Sequence, residues 1–258
     1  MKRLIVIILF LFIGPINLWA LTGSFSFDEV NDSVDTGPDY TDFDSDTMYF
    51  SFWMNSSGGP VNSIGVLVYT STGGATFQSG FDRIILQKVN ATNHLLFNSK
   101  TSGAAGTWVT PTNSLPNDTD LHILATYDRS NNVNDPTIWI NCIEQTLVEQ
   151  QTPTGNPLND TTRIRAGSGA GTAGATVSEY KGLLSYVEYG TRLVTENECV
   201  DFMFYPGSFP DSERQLLWPF TKDKIGDELD LSGKGNKGNI YGVYKSENGP
   251  PIVFRRVD

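Results

Sequence analysis

Histidine is almost absent from this chain, and its scarcity removes a good deal of chemistry. Only His94 and His122 occur in 258 residues. No Gly-x-Ser-x-Gly run is present, so neither a serine-hydrolase triad nor a His-rich metal centre is supported. Positive charge is also sparse: 18 Lys and Arg stand against 29 Asp and Glu, for a formal net charge of −11. With Arg255-Arg256 as the one dense basic pair, this balance argues against a nucleic-acid partner and against an anionic membrane surface. Long apolar runs are missing after the N-terminus. Leu4 to Ile13 is too short to span a bilayer comfortably. Lys2 and Arg3 before it and Leu18-Trp19-Ala20 after it make residues 1–20 read as a removable secretory signal peptide. The expectation is an exported protein over residues 21–258, secreted or held at a cell surface, with no membrane insertion once the signal is cleaved.

What the chain does have is the make-up of an extracellular β protein: a modest charged fraction of 18%, 25 glycines and 12% aromatics, with many Ser, Thr and Asn. Short apolar runs recur between Gly, Ser, Asn and Pro clusters, at Met48 to Met54, Ile64 to Tyr69, Phe81 to Val89, His94 to Asn98 and Thr107 to Thr110, the spacing of a sandwich or barrel. The most readable stretch is Leu121 to Cys142, two apolar strands joined by a polar connection rich in Asn, Asp and Pro. In its first strand both alternating sets are largely apolar, which suits a strand covered on both faces. In its second, Ile138 and Ile140 share one face and Trp139 takes the other. Leu193 to Phe202 reads as one short helix, with Thr195 as N-cap and Glu198 completing a capping box.

Several of these runs resemble the concanavalin A-like, laminin-G-like jelly-roll domains. Leu121-His-Ile-Leu-Ala-Thr-Tyr-Asp128 with Thr137-Ile-Trp-Ile-Asn141 is similar to that family's central strand pair, with Cys142 where the family has a turn glycine. Phe27-Asp28 with Val30-Asn-Asp32 is similar to its opening, Glu29 replacing glycine. Tyr180-Lys-Gly-Leu-Leu-Ser-Tyr-Val-Glu-Tyr189 and Thr162-Arg-Ile-Arg-Ala166 match later strands. Asp230-Leu-Ser-Gly-Lys-Gly-Asn-Lys-Gly238 resembles a segment that precedes the first strand in many relatives and here follows the helix. The resemblance covers nearly the whole of 21–258 and implies an all-β fold, a single jelly-roll sandwich of two antiparallel sheets with one short helix.

The resemblance also implies a recognition module that binds glycan or a surface protein. The alternatives are a structural or adhesive component of a cell surface or virion, and a glycoside hydrolase with atypical residues. Glycosidases on this sandwich carry Glu-x-Asp-x-Glu so that acid and nucleophile share a face. That spacing is absent, so no catalytic residue is expected. Glu196, Glu198 and Asp201 sit on the helix, and Asp39, Asp42, Asp44 and Asp46 in a loop. Gly169-Ala-Gly-Thr-Ala-Gly174 matches a dinucleotide pattern by letter but opens no helix, and reads as a glycine loop. Candidate ligand-stacking rings are Trp53, Trp108 and Trp139. Asp28, Asn31 and Asp32 form a candidate calcium set, against a plain Asx-turn network. Calcium is the only cofactor suggested. Asn31, Asn55, Asn90, Asn117 and Asn159 open Asn-x-Ser/Thr triplets, which would matter only in a eukaryotic host. Cys142 and Cys199 are an even count in an oxidising compartment, and both stand at unusual places for the family. Pairing is favoured over two buried free thiols, provided their Cα atoms come within about 7 Å.

Overall fold

Period-two runs become strands wherever one set of side chains has an apolar partner layer to meet. The computed structural model describes residues 24–28, 32–36, 43, 45–58, 64–71, 82–158, 163–167, 180–207, 212–220 and 227–246. Within these lie β1 (Ser24–Asp28), β2 (Ser33–Asp35), β3 (Thr47–Ser56), β4 (Ile64–Ser71), β5 (Asp82–Val89), β6 (His94–Ser99), β7 (Gly106–Val109) and β8 (Leu121–Asp128). They are followed by β9 (Thr137–Ile140), β10 (Ile143–Glu144), β11 (Val148–Gln151), β12 (Arg163–Gly167) and β13 (Lys181–Gly190). A 3₁₀ turn at Glu196–Glu198 runs into α1 (Cys199–Phe204), and β14 (Arg214–Trp218), β15 (Asn239–Tyr241) and β16 (Tyr244–Ser246) close the order. The expected signal peptide and the glycine loop at Gly169 to Gly174 lie outside the described residues, among which no helix is long and apolar enough to cross a membrane.

The strands form two antiparallel sheets. One has the order β10-β9-β8-β3-β13-β1-β16, with β14 also on β13; the other runs β11-β7-β6-β5-β4-β12-β2-β15. The fold is therefore the all-β sandwich that the strand pattern and the resemblance imply. β3 and β8 pair in full register from Thr47 against Asp128 to Met54 against Leu121. Alternation then sends Met48, Phe50, Phe52 and Met54 inward with Leu121, Ile123, Ala125 and Tyr127, to meet Leu86, Leu95, Phe97, Trp108 and Ile164 of the second sheet. Burying side chains of this size contributes about 1.5–3 kcal/mol each.

The outer face of the first sheet is covered too. Tyr49, Leu124 and Trp139 point away from the main core and pack under Val194, Cys199 and Phe202, while Trp53 and Tyr186 pack under Met203. The helical segment is shorter than the sequence pattern predicts, one 3₁₀ turn and six α-helical residues. Its start is as expected: the Glu198 carboxylate accepts from the Thr195 backbone N–H at 2.8 Å and its hydroxyl at 2.9 Å. Cys142 and Cys199 form a disulfide with Cα atoms 5.5 Å apart, tying α1 to the turn after β9. The Asp230 to Gly238 segment is a structural tie. Asp230 Oδ1 accepts from the backbone N–H of Leu217 and Ser232 at 3.0 and 2.9 Å, and Asn236 accepts the buried Trp218 indole N–H at 2.9 Å.

Candidate functional site

A groove opens at the end of β8, where a connection of Asn, Asp and Pro turns the chain into β9. Each polar residue of that connection has a local task. Asp128 Oδ1 accepts from the Ser130 N–H at 3.0 Å, Asn131 Oδ1 accepts from Val133 at 3.2 Å, and the Asn134 amide donates to the Asp128 carbonyl at 3.0 Å. Asx turns of this kind let a polar side chain satisfy backbone that no ladder reaches. Two longer ties fix the connection to the next stretch of chain: Asn132 donates to the Gly155 carbonyl at 2.6 Å, and the guanidinium of buried Arg129 donates to the Leu158 carbonyl.

Two open hollows flank the connection. One, of about 510 Å³, is lined by Asp135, Pro136, Thr137 and residues 144–147; the other, of about 440 Å³, is lined by Tyr127, Asp128, Val133, Asn134, Asp135, Thr137, Leu193 and neighbours. Asp135 and Thr137 border both. Asp135 is held from below, its Oδ1 accepting the Trp108 indole N–H at 2.7 Å. Trp108 in turn lies among Phe97 and Tyr127, with ring centroids 5.5–6.0 Å apart. Burial pushes the Tyr127 phenol above its ordinary pKa, an effect that a hydrogen bond from Ser99 partly offsets. Gly106 is required here, because a Cβ would overlap the Trp108 indole. The groove thus offers carboxylates, amides and hydroxyls beside the exposed apolar side chains of Val133 and Leu193. That mixture can take hydroxyl hydrogen bonds and cover C–H faces of a polyol at once. Among the described residues, no Lys or Arg lines either hollow.

The three tryptophans read as stacking platforms are placed differently. Trp139 does point away from Ile138 and Ile140, but it is 4% exposed because the α1 segment covers that face. Trp108 is 1% exposed, since the alternation of β7 turns it into the sandwich, and reaches the groove only through its N–H. Trp53 is 5% exposed beneath Met203, whose carbonyl accepts its N–H at 3.0 Å. None offers a ring face for stacking, which corrects that part of the sequence reading.

In the proposed calcium set, Asn31 lies outside the described residues. Asp32 is buried and its Oδ2 accepts the Asp28 backbone N–H at 2.5 Å, a side-chain tie to backbone four residues earlier, while Asp28 is exposed. His122 is fully buried on β8. Its Nε2 and Ser51 Oγ are 2.9 Å apart, its Nδ1 has no hydrogen-bond partner, and burial pushes its pKa down to about 3. His122 is therefore a neutral structural residue, only half satisfied. What sequence reasoning missed was the groove itself. Asp128, Asn134 and Asp135 were visible as a polar cluster but read as turn formers.

No protein-family model matches this chain, and none of the curated proteins is similar enough in sequence to count as a relative. Among solved structures the chain is similar to a candidate carbohydrate-binding protein from Bacteroides ovatus, at 15% identity and a TM-score of 0.65, over 91% of this chain and 62% of that one. This chain thus spans less than two thirds of that protein's length. It is also similar to the enzymatically active domain of tailspike protein 2 of bacteriophage CBA120, at 10% identity and a TM-score of 0.54, over 76% of this chain and 29% of that one. A Ruminococcus gnavus sialidase CBM40 bound to α2,3-sialyllactose gives 11% identity and a TM-score of 0.47, over 69% of this chain and 96% of that one. At such identities the likeness to the first two is one of fold.

Proposed function

We propose that this chain is an exported, non-enzymatic module of the concanavalin A-like, laminin-G-like kind that holds a glycan in the groove beside the β8–β9 connection. The observation that carries the reading is Asp135. A carboxylate fixed by a buried indole N–H and shared by two hollows is a preset acceptor for sugar hydroxyls, and its orientation is decided before any ligand arrives. Hydroxyl and amide groups on either side, with Val133 and Leu193 exposed at the rim, supply the rest of a polyol's needs. With acidic side chains and no cation among the described lining residues, the reading is directed to neutral sugars rather than anionic ones. Export is supported by the basic and apolar start of the sequence and by the Cys142–Cys199 disulfide, a bond that persists in oxidising compartments.

A glycan array probed with the full chain, in calcium and in chelator, tests this directly. Retention of neutral oligosaccharides, reduced tenfold or more by Asp135→Asn combined with Thr137→Val, is the expected result. Failure to retain any glycan in either condition overturns the reading, and release of sugar from a retained glycan overturns its non-enzymatic half.

A further inference from the structure

The polar cluster around the disulfide holds a second set of donors that the groove does not use. A ring nitrogen of His122 and the sulfurs of Cys142 and Cys199 lie within 4.8 Å of one another. His122 and Cys199 are fully buried and Cys142 half-buried. His122 Nδ1 has no hydrogen-bond partner, although its ring sits in the interior where such a group normally finds one. The three residues come from β8, the turn after β9 and the start of α1, so the fold gathers them from three separate elements.

We propose that reduction of the disulfide turns this cluster into a zinc(II) site with Cys142, Cys199 and His122 as ligands and a solvent water, reaching in beside half-buried Cys142, in the fourth position. Zinc takes thiolate sulfur at about 2.3 Å and imidazole nitrogen at about 2.0–2.1 Å, with four ligands in tetrahedral array. At those bond lengths a ring nitrogen and a sulfur are roughly 3.5 Å apart and two sulfurs roughly 3.8 Å, so once the disulfide is broken the sulfurs separate and the nitrogen–sulfur gaps, within 4.8 Å, close by at most about 1.3 Å. Charge also favours this ion. Two thiolates and a neutral imidazole around a divalent cation leave no net charge, which matters because an uncompensated charge in a dry interior is costly. A phosphine or dithiol reductant supplies the two electrons that break the S–S bond, and two protons from solvent complete the thiols. Zinc coordination then releases those two protons without any change in its oxidation state. The disulfide and the metal are alternative occupants of one place. Met203 Sδ stands 3.9 Å from Cys142 Sγ, but a thioether suits copper(I) rather than zinc, and Met203 is excluded from the ligand set.

The test uses the full chain, reduced anaerobically with a phosphine, desalted, and titrated with zinc or with cobalt(II) as a spectroscopic substitute. One equivalent should bind, with thiolate-to-cobalt charge transfer and the visible bands of a tetrahedral ion, while the oxidised chain binds none. Cys142→Ser, at a half-buried turn position, and His122→Gln each remove a direct ligand and should lower zinc affinity at least about 100-fold, beyond the roughly 10–100-fold cost of losing an outer-shell partner, whereas Met203→Leu should leave it unchanged. If reduction unfolds the chain, added zinc should restore the native tryptophan emission. Lack of uptake by the reduced chain, undiminished affinity in reduced Cys142→Ser, equal binding by the oxidised chain, or failure of zinc to restore an unfolded reduced chain would each overturn the site. A loss of affinity in Met203→Leu would overturn the stated ligand set.

Discussion

Replacing Trp139 separates a ligand platform from a core residue, because the two roles give opposite results. The ring is 4% exposed and packs with Leu124, Val194, Cys199 and Phe202 beneath α1. Truncating a buried tryptophan to alanine costs about 3–5 kcal/mol. Trp139 Nε1 has no hydrogen-bond partner, so no bond is lost with the ring, and removing a buried unsatisfied donor relieves a penalty of about 1–3 kcal/mol. The loss in Trp139→Ala should therefore fall at the low end, about 3 kcal/mol. With a urea dependence of roughly 2–3 kcal/mol per molar for a chain of this size, the unfolding midpoint moves down by about 1 M. Trp139→Phe keeps most of the packing and discards the N–H, and should stay within about 1 kcal/mol of wild type. Urea titration followed by circular dichroism reads both variants, and glycan binding of the folded proteins should be unchanged. An unmoved midpoint in Trp139→Ala together with weakened glycan binding refutes the packing argument. A phenylalanine variant as unstable as the alanine one would mean that the indole N–H has a partner.

Asp135→Ala leaves the Trp108 N–H without an acceptor and should cost about 1–3 kcal/mol in urea unfolding, whereas Asp135→Asn keeps an acceptor and should stay near wild-type stability while losing glycan affinity. Gly106→Ala forces a methyl into the Trp108 indole; a loss of about 1–3 kcal/mol is expected, and an unchanged midpoint would show that the ring has room to move. Lys88 is fully buried with its ammonium donating to Ser56 Oγ at 2.8 Å and to Asn117, and burial lowers its pKa from 10.5 to about 8, against the opposing pull of Asp118. Between those two values the unfolded chain keeps a proton that the folded chain has given up, so this contribution to stability rises with pH. Relative to Lys88→Met, wild type should gain roughly 1 kcal/mol between pH 7.5 and 9; a flat difference would place the ammonium in contact with water.

The parts of the fold that could be read in the sequence are those decided by near neighbours. Alternation in Met48 to Met54 and in Leu121 to Asp128 names the inward side chains, and Thr195 with Glu198 marks the helix start, because each signal needs only a few consecutive residues. Alternation also assigned Trp139 to the face opposite Ile138 and Ile140. It was silent on what covers that face, since Val194, Cys199 and Phe202 arrive from more than fifty residues away. Trp108 was misplaced for the same reason: a four-residue strand does not tell which of its faces meets the other sheet. The groove was hidden differently. Asn and Asp side chains that cap turns and those that accept a ligand's hydroxyls have the same chemistry, and only the cavity and the Trp108 bond pick out Asp135.

The ties from Asn132 to the Gly155 carbonyl and from Arg129 to the Leu158 carbonyl divide the labour within the β8–β9 connection. Frame residues hold the backbone, and display residues such as Val133, 79% exposed, face solvent and carry little of the fold. Exchanges at such a display position change what the groove touches while leaving its shape, since surface substitutions away from structural ties usually shift stability by less than about 0.5 kcal/mol. On the proposed reading of the groove, a lineage carrying this sandwich can thus drift from one ligand to another by single steps, each passing through a folded protein. The same arrangement makes the connection a practical site for laboratory diversification, with Asn132 and Arg129 kept constant.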